Sequence, residues 1–127
     1  AEMPQCSDDD YTILAELNSS GAQDFFQEMV RCGKHSFTIF NFAIQWYQND
    51  FVNCVREKNT GLSPRCVGCY GMDAKYGLDN CKVACMLSWC SPPCIDCARG
   101  NRANLTSCIG RSENVPAAHP CALLEGL

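Results

Sequence analysis

Histidine occurs only twice in these 127 residues, no apolar run is long enough to cross a bilayer, and neither sign of charge dominates. Each shortage closes off a class of function. A membrane-spanning helix needs about 18 or more apolar residues in succession. The nearest stretch, FTIFNFAIQWY, is interrupted by Asn41 and Gln45. The chain has 10 Lys and Arg against 14 Asp and Glu, a net charge of −4. Residues 1–60 carry nine acids and four bases, residues 61–127 five acids and six bases, so neither half offers the basic face that nucleic acid requires. His35 adjoins Ser36, which reads as a helix cap, and His119 stands between Ala118 and Pro120. Neither lies beside a nucleophile with an orienting carboxylate, and no two carboxylates are singled out for glycosidase work. No alternating strand pattern is visible, which removes the βαβ context of a thioredoxin-like site. The chain therefore reads as non-catalytic, with no cofactor.

What it has in abundance is cysteine, 12 residues in all: Cys6, Cys32, Cys54, Cys66, Cys69, Cys81, Cys85, Cys90, Cys94, Cys97, Cys108 and Cys121. An even count at this density, with a chain that starts at Ala1, reads as a processed protein exported to an oxidising compartment, its cysteines in disulfides. Two C-x-x-C pairs, Cys66/Cys69 and Cys94/Cys97, would suit a zinc ion in a reducing compartment; here bridges are the expected state. Spacings of three and four residues put paired sulfurs on one helix face, so the second half reads as short helices riveted side by side. These helices are expected near 66–75, 79–89 and 94–105, with turns at Gly77 and at Ser91-Pro92-Pro93. In a hairpin turning near Gly77, Cys69 would face Cys85. Eight cysteines allow 105 pairings, and sequence does not choose among them.

The first half is aromatic. Asp8-Asp9-Asp10 reads as a helix N-terminus, where carboxylates complement the dipole; a calcium loop would need alternating oxygen ligands and a closing Glu that are missing. The helix begun there is expected to stop at Asn18-Ser19-Ser20-Gly21, and a second, over 22–32, to stop at Gly33. A third and longest helix is expected over 36–58, its seam formed by Phe37, Phe40, Ile44, Tyr47, Phe51 and Cys54. Ile39, Phe42 and Trp46 would form a second flank, broad enough to bury against a partner as well as a core. After Cys108 the chain reads as an extended strap pinned by Cys121, leaving Leu123, Leu124 and Leu127 as an apolar tail and a second candidate contact. Asn18 and Asn104 begin glycosylation-type triplets.

The expectation is a single all-α, disulfide-rich domain of three parts: an aromatic half (1–60), a stapled half (61–110), and a strap and tail (111–127). The stretch GCYGMDAKYGLDNCKVACMLSWCSPPCIDC, followed by Leu105 and Cys108-Ile109-Gly110, resembles a cysteine-rich module of dinoflagellate exported proteins. The likeness rests on Tyr70, Tyr76-Gly77, Asp79-Asn80-Cys81-Lys82, Ala84-Cys85, Trp89-Cys90 and the closing Cys94, Cys97 and Cys108. The resemblance covers residues 66–110 and implies a bridged helical scaffold outside the cytosol. By lineage it also points to the thylakoid lumen and a photosystem-antenna assembly. The function so implied is a structural subunit, peripheral to a membrane at most, whose partners are protein subunits of a larger complex. The alternative is a secreted carrier that holds a lipid or pigment, or engages a receptor, through its aromatic helix.

Overall fold

The computed structural model describes residues 4–17, 22–41, 43–85 and 91–111. In order these form α1 (Asp8–Glu16), α2 (Ala22–Lys34), β1 (Phe37–Phe40), β2 (Ala43–Trp46), α3 (Gln48–Lys58), α4 (Pro64–Asn80), α5 (Lys82–Cys85), α6 (Pro92–Ala98), a 3-10 turn (Arg99–Asn101) and α7 (Arg102–Ile109). The fold is mostly helical and disulfide-rich, as expected, with one small sheet in addition. The strap and its pin Cys121, the tail residues Leu123, Leu124 and Leu127, and also Asn18, Phe42 and Cys90, lie outside the described residues.

The long helix expected over 36–58 is a β-hairpin followed by a helix. Phe37 pairs with Trp46 and Phe40 with Ala43 in an antiparallel ladder, and Asn41 takes the turn at φ 52°, a left-handed conformation that asparagine tolerates. Phe37, Thr38, Ile39 and Phe40 are β-branched or aromatic, which suits a pleated surface. Phe40 breaks the alternation of apolar and polar residues, so the period of two is hidden.

α4 is the axis around which the other elements assemble. It runs unbroken through Gly77 to Asn80, where a turn was expected. α2 similarly continues past Gly33 to Lys34. In α4 a Cβ at Gly77 would meet no other atom within 4 Å. Gly77→Ala should therefore raise stability by roughly 0.5–1 kcal/mol, the difference in helix propensity, as read from the urea midpoint. A loss of stability would show that the open space beside Gly77 is filled.

The N-terminal segment clamps α4 and α7 together. Ser7 caps α1 and forms a capping box with Asp10. Asp10, 1% exposed, reaches across to Ser63, accepting from its backbone N–H at 2.8 Å and its hydroxyl at 2.7 Å. Ser63 in turn caps α4, accepting from Cys66 N–H. Tyr11 donates its hydroxyl to the Ile109 carbonyl at 2.7 Å, and Gln5 N–H donates to the Cys108 carbonyl. Gly110 ends α7 at φ 105°, with Tyr11 and Pro4 packed where a side chain would stand. Leu14, Phe51, Val55, Leu62, Val67 and Ile109 are fully buried and form the core between α1, α3, α4 and α7.

Among the described residues five disulfides join these elements: Cys6–Cys66, Cys32–Cys54, Cys69–Cys108, Cys81–Cys97 and Cys85–Cys94. The expected Cys69–Cys85 bridge is replaced by Cys69–Cys108 and Cys85–Cys94, because α4 does not fold back at Gly77. Each C-x-x-C pair opens a serine-capped helix with proline in its first turn, Ser63-Pro64-Arg65-Cys66 and Ser91-Pro92-Pro93-Cys94. Within each pair the two sulfurs bond to different partners, so the pairs are staples and their thiolates do not share a metal ion.

Candidate functional site

The hairpin packs beside α4, and a cavity of about 420 Å³ lies between them. Phe37, Ile39 and Ile44 line it from the hairpin. Register puts these three on one face with Trp46, because residues two apart in a strand share a face. Phe26, Met29 and Val30 of α2 and Phe51 of α3 form a second wall. α4 contributes Tyr70, Asp73, Ala74, Gly77 and Leu78, and the remaining side is Lys82, Cys85, Cys94, Ile95 and Ala98. Small residues at 74 and 77, on the same helical face as Tyr70, create the depth.

The lining is carbon with three polar exceptions, Tyr70, Asp73 and Lys82. Tyr70 is 4% exposed and its ring stands edge-on to Phe25 at 5.6 Å. Its hydroxyl is buried and has no hydrogen-bond partner among the described residues. Burial drives its pKa up, well above the usual phenol range. Asp73 accepts from Asn101 Nδ2 at 2.8 Å, and Asn101 Oδ1 accepts from Asn104 Nδ2 at 2.9 Å. Burial raises the Asp73 pKa, and the Asn101 bond and the Arg102 charge only partly offset it.

The residues singled out by sequence are placed as follows. Trp46 packs on Phe51 at 5.5 Å and donates its indole N–H to Gln48 Oε1 at 2.7 Å; Gln48 in turn donates to the Gly68 carbonyl. Ile39 is 64% exposed at the cavity rim, and Phe40, on the opposite face of β1, is 76% exposed. Ile39 and Trp46 thus share a face with Phe37 and Ile44, where a helix would have set them on another flank. Ser36 does not engage His35: its hydroxyl donates to the Cys32 carbonyl at 2.7 Å. Asp8 and Asp9 are exposed on the first turn of α1, Asp8 facing Arg111 at 3.4 Å.

Among the described residues two clusters have metal-ligand geometry, Cys6/Asp10/Cys66 and Glu28/Cys32/Cys54. Their sulfurs are already bonded to each other. In the second cluster Arg31 holds Glu28 below the usual carboxylate range through a short ion pair, with Lys58 adding at 3.4 Å. These groups support the α2–α3 bridge.

Tyr70 and Asp73 escaped the reading of the sequence because Y-x-x-D is ordinary helix spacing. Their signal is the combination Tyr70, Asp73, Ala74, Gly77: two polar tips followed by small residues along one face, which leaves a groove when the helix stays straight. Among the described residues no helix is long and apolar enough to cross a membrane. No family model, curated protein or solved structure matches the chain.

Proposed function

We propose that this chain is a non-catalytic binding module of an oxidising, extracytoplasmic compartment, holding one small, largely apolar molecule in the cavity between the hairpin and α4. The cavity carries the reading. Its 420 Å³ falls in the range that suits a small ligand, with a carbon lining and few polar groups. The Cys85–Cys94 bridge is part of its wall and Cys32–Cys54 ties two of its helices, so little ordering entropy is lost when a ligand enters. Five disulfides themselves favour an oxidising compartment.

The neutral dye Nile red tests this on the oxidised chain. Saturable binding with enhanced fluorescence is expected, at micromolar affinity. Gly77→Phe, which projects a ring into open space, should weaken it at least tenfold while the far-ultraviolet circular dichroism stays unchanged. Absence of saturable binding, or binding indifferent to Gly77→Phe, would overturn the proposal.

A second reading, a structural subunit docked on a membrane assembly, is favoured by Ile39 and Phe40 on the exposed hairpin. Its placement in the thylakoid lumen beside a photosystem-antenna complex rests on the resemblance of residues 66–110 alone. Fractionation in mild detergent separates the two: a carrier runs near 14.0 kDa and yields an extractable ligand, whereas a subunit co-migrates with a large complex.

A further inference from the structure

We infer that Asn104 is a modification site that carries an N-linked oligosaccharide; the inference rests on the extracytoplasmic reading above. Asn104-Leu105-Thr106 has the acceptor pattern, an asparagine with a hydroxyl two residues on and no proline between. That pattern is common, and the structure adds where it stands. Asn104 is exposed on the first turn of α7, and its exposed neighbours Ala103 and Ser107 are small. α7 packs inward through Leu105 and Ile109, 6% and 0% exposed, which leaves the Asn104 face to solvent. Beside Asn104 a groove of about 300 Å³, lined from α4 by Met72, Lys75, Tyr76, Asp79 and Asn80, gives the first sugars room. No residue of α7 lines the larger apolar cavity, so an oligosaccharide here leaves the ligand site open.

The folded contacts of the side chain are compatible with the conjugate. Asn104 Nδ2 donates to Asn101 Oδ1 at 2.9 Å, and an amide nitrogen has two hydrogens to give. Transfer uses one of them. Nδ2 bonds to the anomeric carbon of a lipid-linked oligosaccharide diphosphate, and the bond from that carbon to the phosphate oxygen breaks. The lipid diphosphate leaves with the electron pair, and one amide proton is released. The remaining N–H serves Asn101, whose own Nδ2 holds Asp73 at 2.8 Å. Transfer belongs to the extended chain, before Cys69–Cys108 ties α7 to α4 as a helix. Once attached, a bulky solubilising group keeps this face of α7 in water.

The test sends the full chain through the secretory pathway of cultured mammalian cells and weighs the product by mass spectrometry. Trypsin cuts after Arg102 and Arg111, so residues 103–111 form one peptide, separate from the triplet at Asn18. After reduction this peptide should be heavier than its sequence by one oligosaccharide. Peptide N-glycosidase should remove the excess and leave an aspartate where Asn104 stood. Asn104→Gln and Thr106→Ala should each abolish the added mass, whereas Thr106→Ser, which keeps the hydroxyl, should retain it. Because Thr106→Ser is nearly isosteric, its retained mass shows that loss in Thr106→Ala comes from the missing hydroxyl and not from misfolding. A secreted, fully bridged chain whose peptide 103–111 is unmodified would overturn the site while leaving the extracytoplasmic reading in place. A chain held inside the cell with free thiols would remove both.

Discussion

Asp10→Ala is expected to lower the stability of the oxidised chain by about 3 kcal/mol, the sum of stranded donors at one buried acceptor. The carboxylate accepts from Ser7 N–H at 2.9 Å, Ser7 Oγ at 3.1 Å, Ser63 N–H at 2.8 Å and Ser63 Oγ at 2.7 Å. Alanine leaves two backbone N–H groups unpaired, and each such loss costs roughly 1–3 kcal/mol. It also removes half of the α1 capping box and the tie from α1 to the start of α4. Asp10→Asn keeps one acceptor oxygen and should lose about half as much. Acid sensitivity follows from the same contacts. Burial alone would raise the Asp10 pKa, but the bonds from Ser7 and Ser63 outweigh it and hold the folded value below the ordinary 3.8. A depressed folded pKa stabilises above the unfolded value, and that stability is lost as pH falls through the folded value. The wild-type urea midpoint should therefore drop below about pH 4, with a shallower drop in Asp10→Asn. A loss under about 1 kcal/mol in Asp10→Ala would show that the clamp is not a main tie.

The start of α1 was legible because its signals are local: the acidic run follows a capping serine, and each reaches only three residues. The staples were legible as a class, from cysteine number and spacing, and ten of the twelve cysteines stand in bridges among the described residues. Their partners were not, because pairing depends on whether α4 bends at Gly77. Glycine alone permits either outcome; the helix continues through it, with Lys75 and Asp79 paired at 2.8 Å across that position. The hairpin was hidden for a different reason. Residues 37–47 are apolar at enough positions to satisfy a period of 3.6 and a period of two at once, and only tertiary packing on α4 decides. The repeated Ser-Pro-x-Cys-x-x-Cys start of α4 and α6 was available in the sequence, since a capping serine and a first-turn proline mark a helix N-terminus wherever they occur together. The cavity depends on the hairpin and the straight α4, and so could not be read before either.

Removing the Cys6–Cys66 bridge as the double alanine variant should cost about 4 kcal/mol, the largest loss among the five described disulfides. The bridge closes a loop with a sequence separation of 60, against 39 for Cys69–Cys108, 22 for Cys32–Cys54, 16 for Cys81–Cys97 and 9 for Cys85–Cys94. On chain entropy alone the shortest loop is worth about 2.5 kcal/mol, so the ranking of the five variants tests the argument directly. Double replacement avoids a lone thiol that could reshuffle its neighbours. The bridge and the Asp10 clamp hold the same segment: the Cys6 and Cys66 sulfurs and an Asp10 oxygen all lie within 4.8 Å of one another. Once either is gone, residues 4–17 can leave α4 as a unit, and the other tie then protects little. Combining Asp10→Ala with Cys6→Ala/Cys66→Ala should therefore cost less than the two losses added, by more than about 0.5 kcal/mol. Hydrogen exchange should show the Tyr11 and Leu14 amides opening ahead of those of Val55 and Val67 in the combined variant, because α3 and α4 remain tied through the core. Strict additivity, or simultaneous opening of all four amides, would mean that the segment and α4 unfold only together and that the two ties act independently on the whole domain.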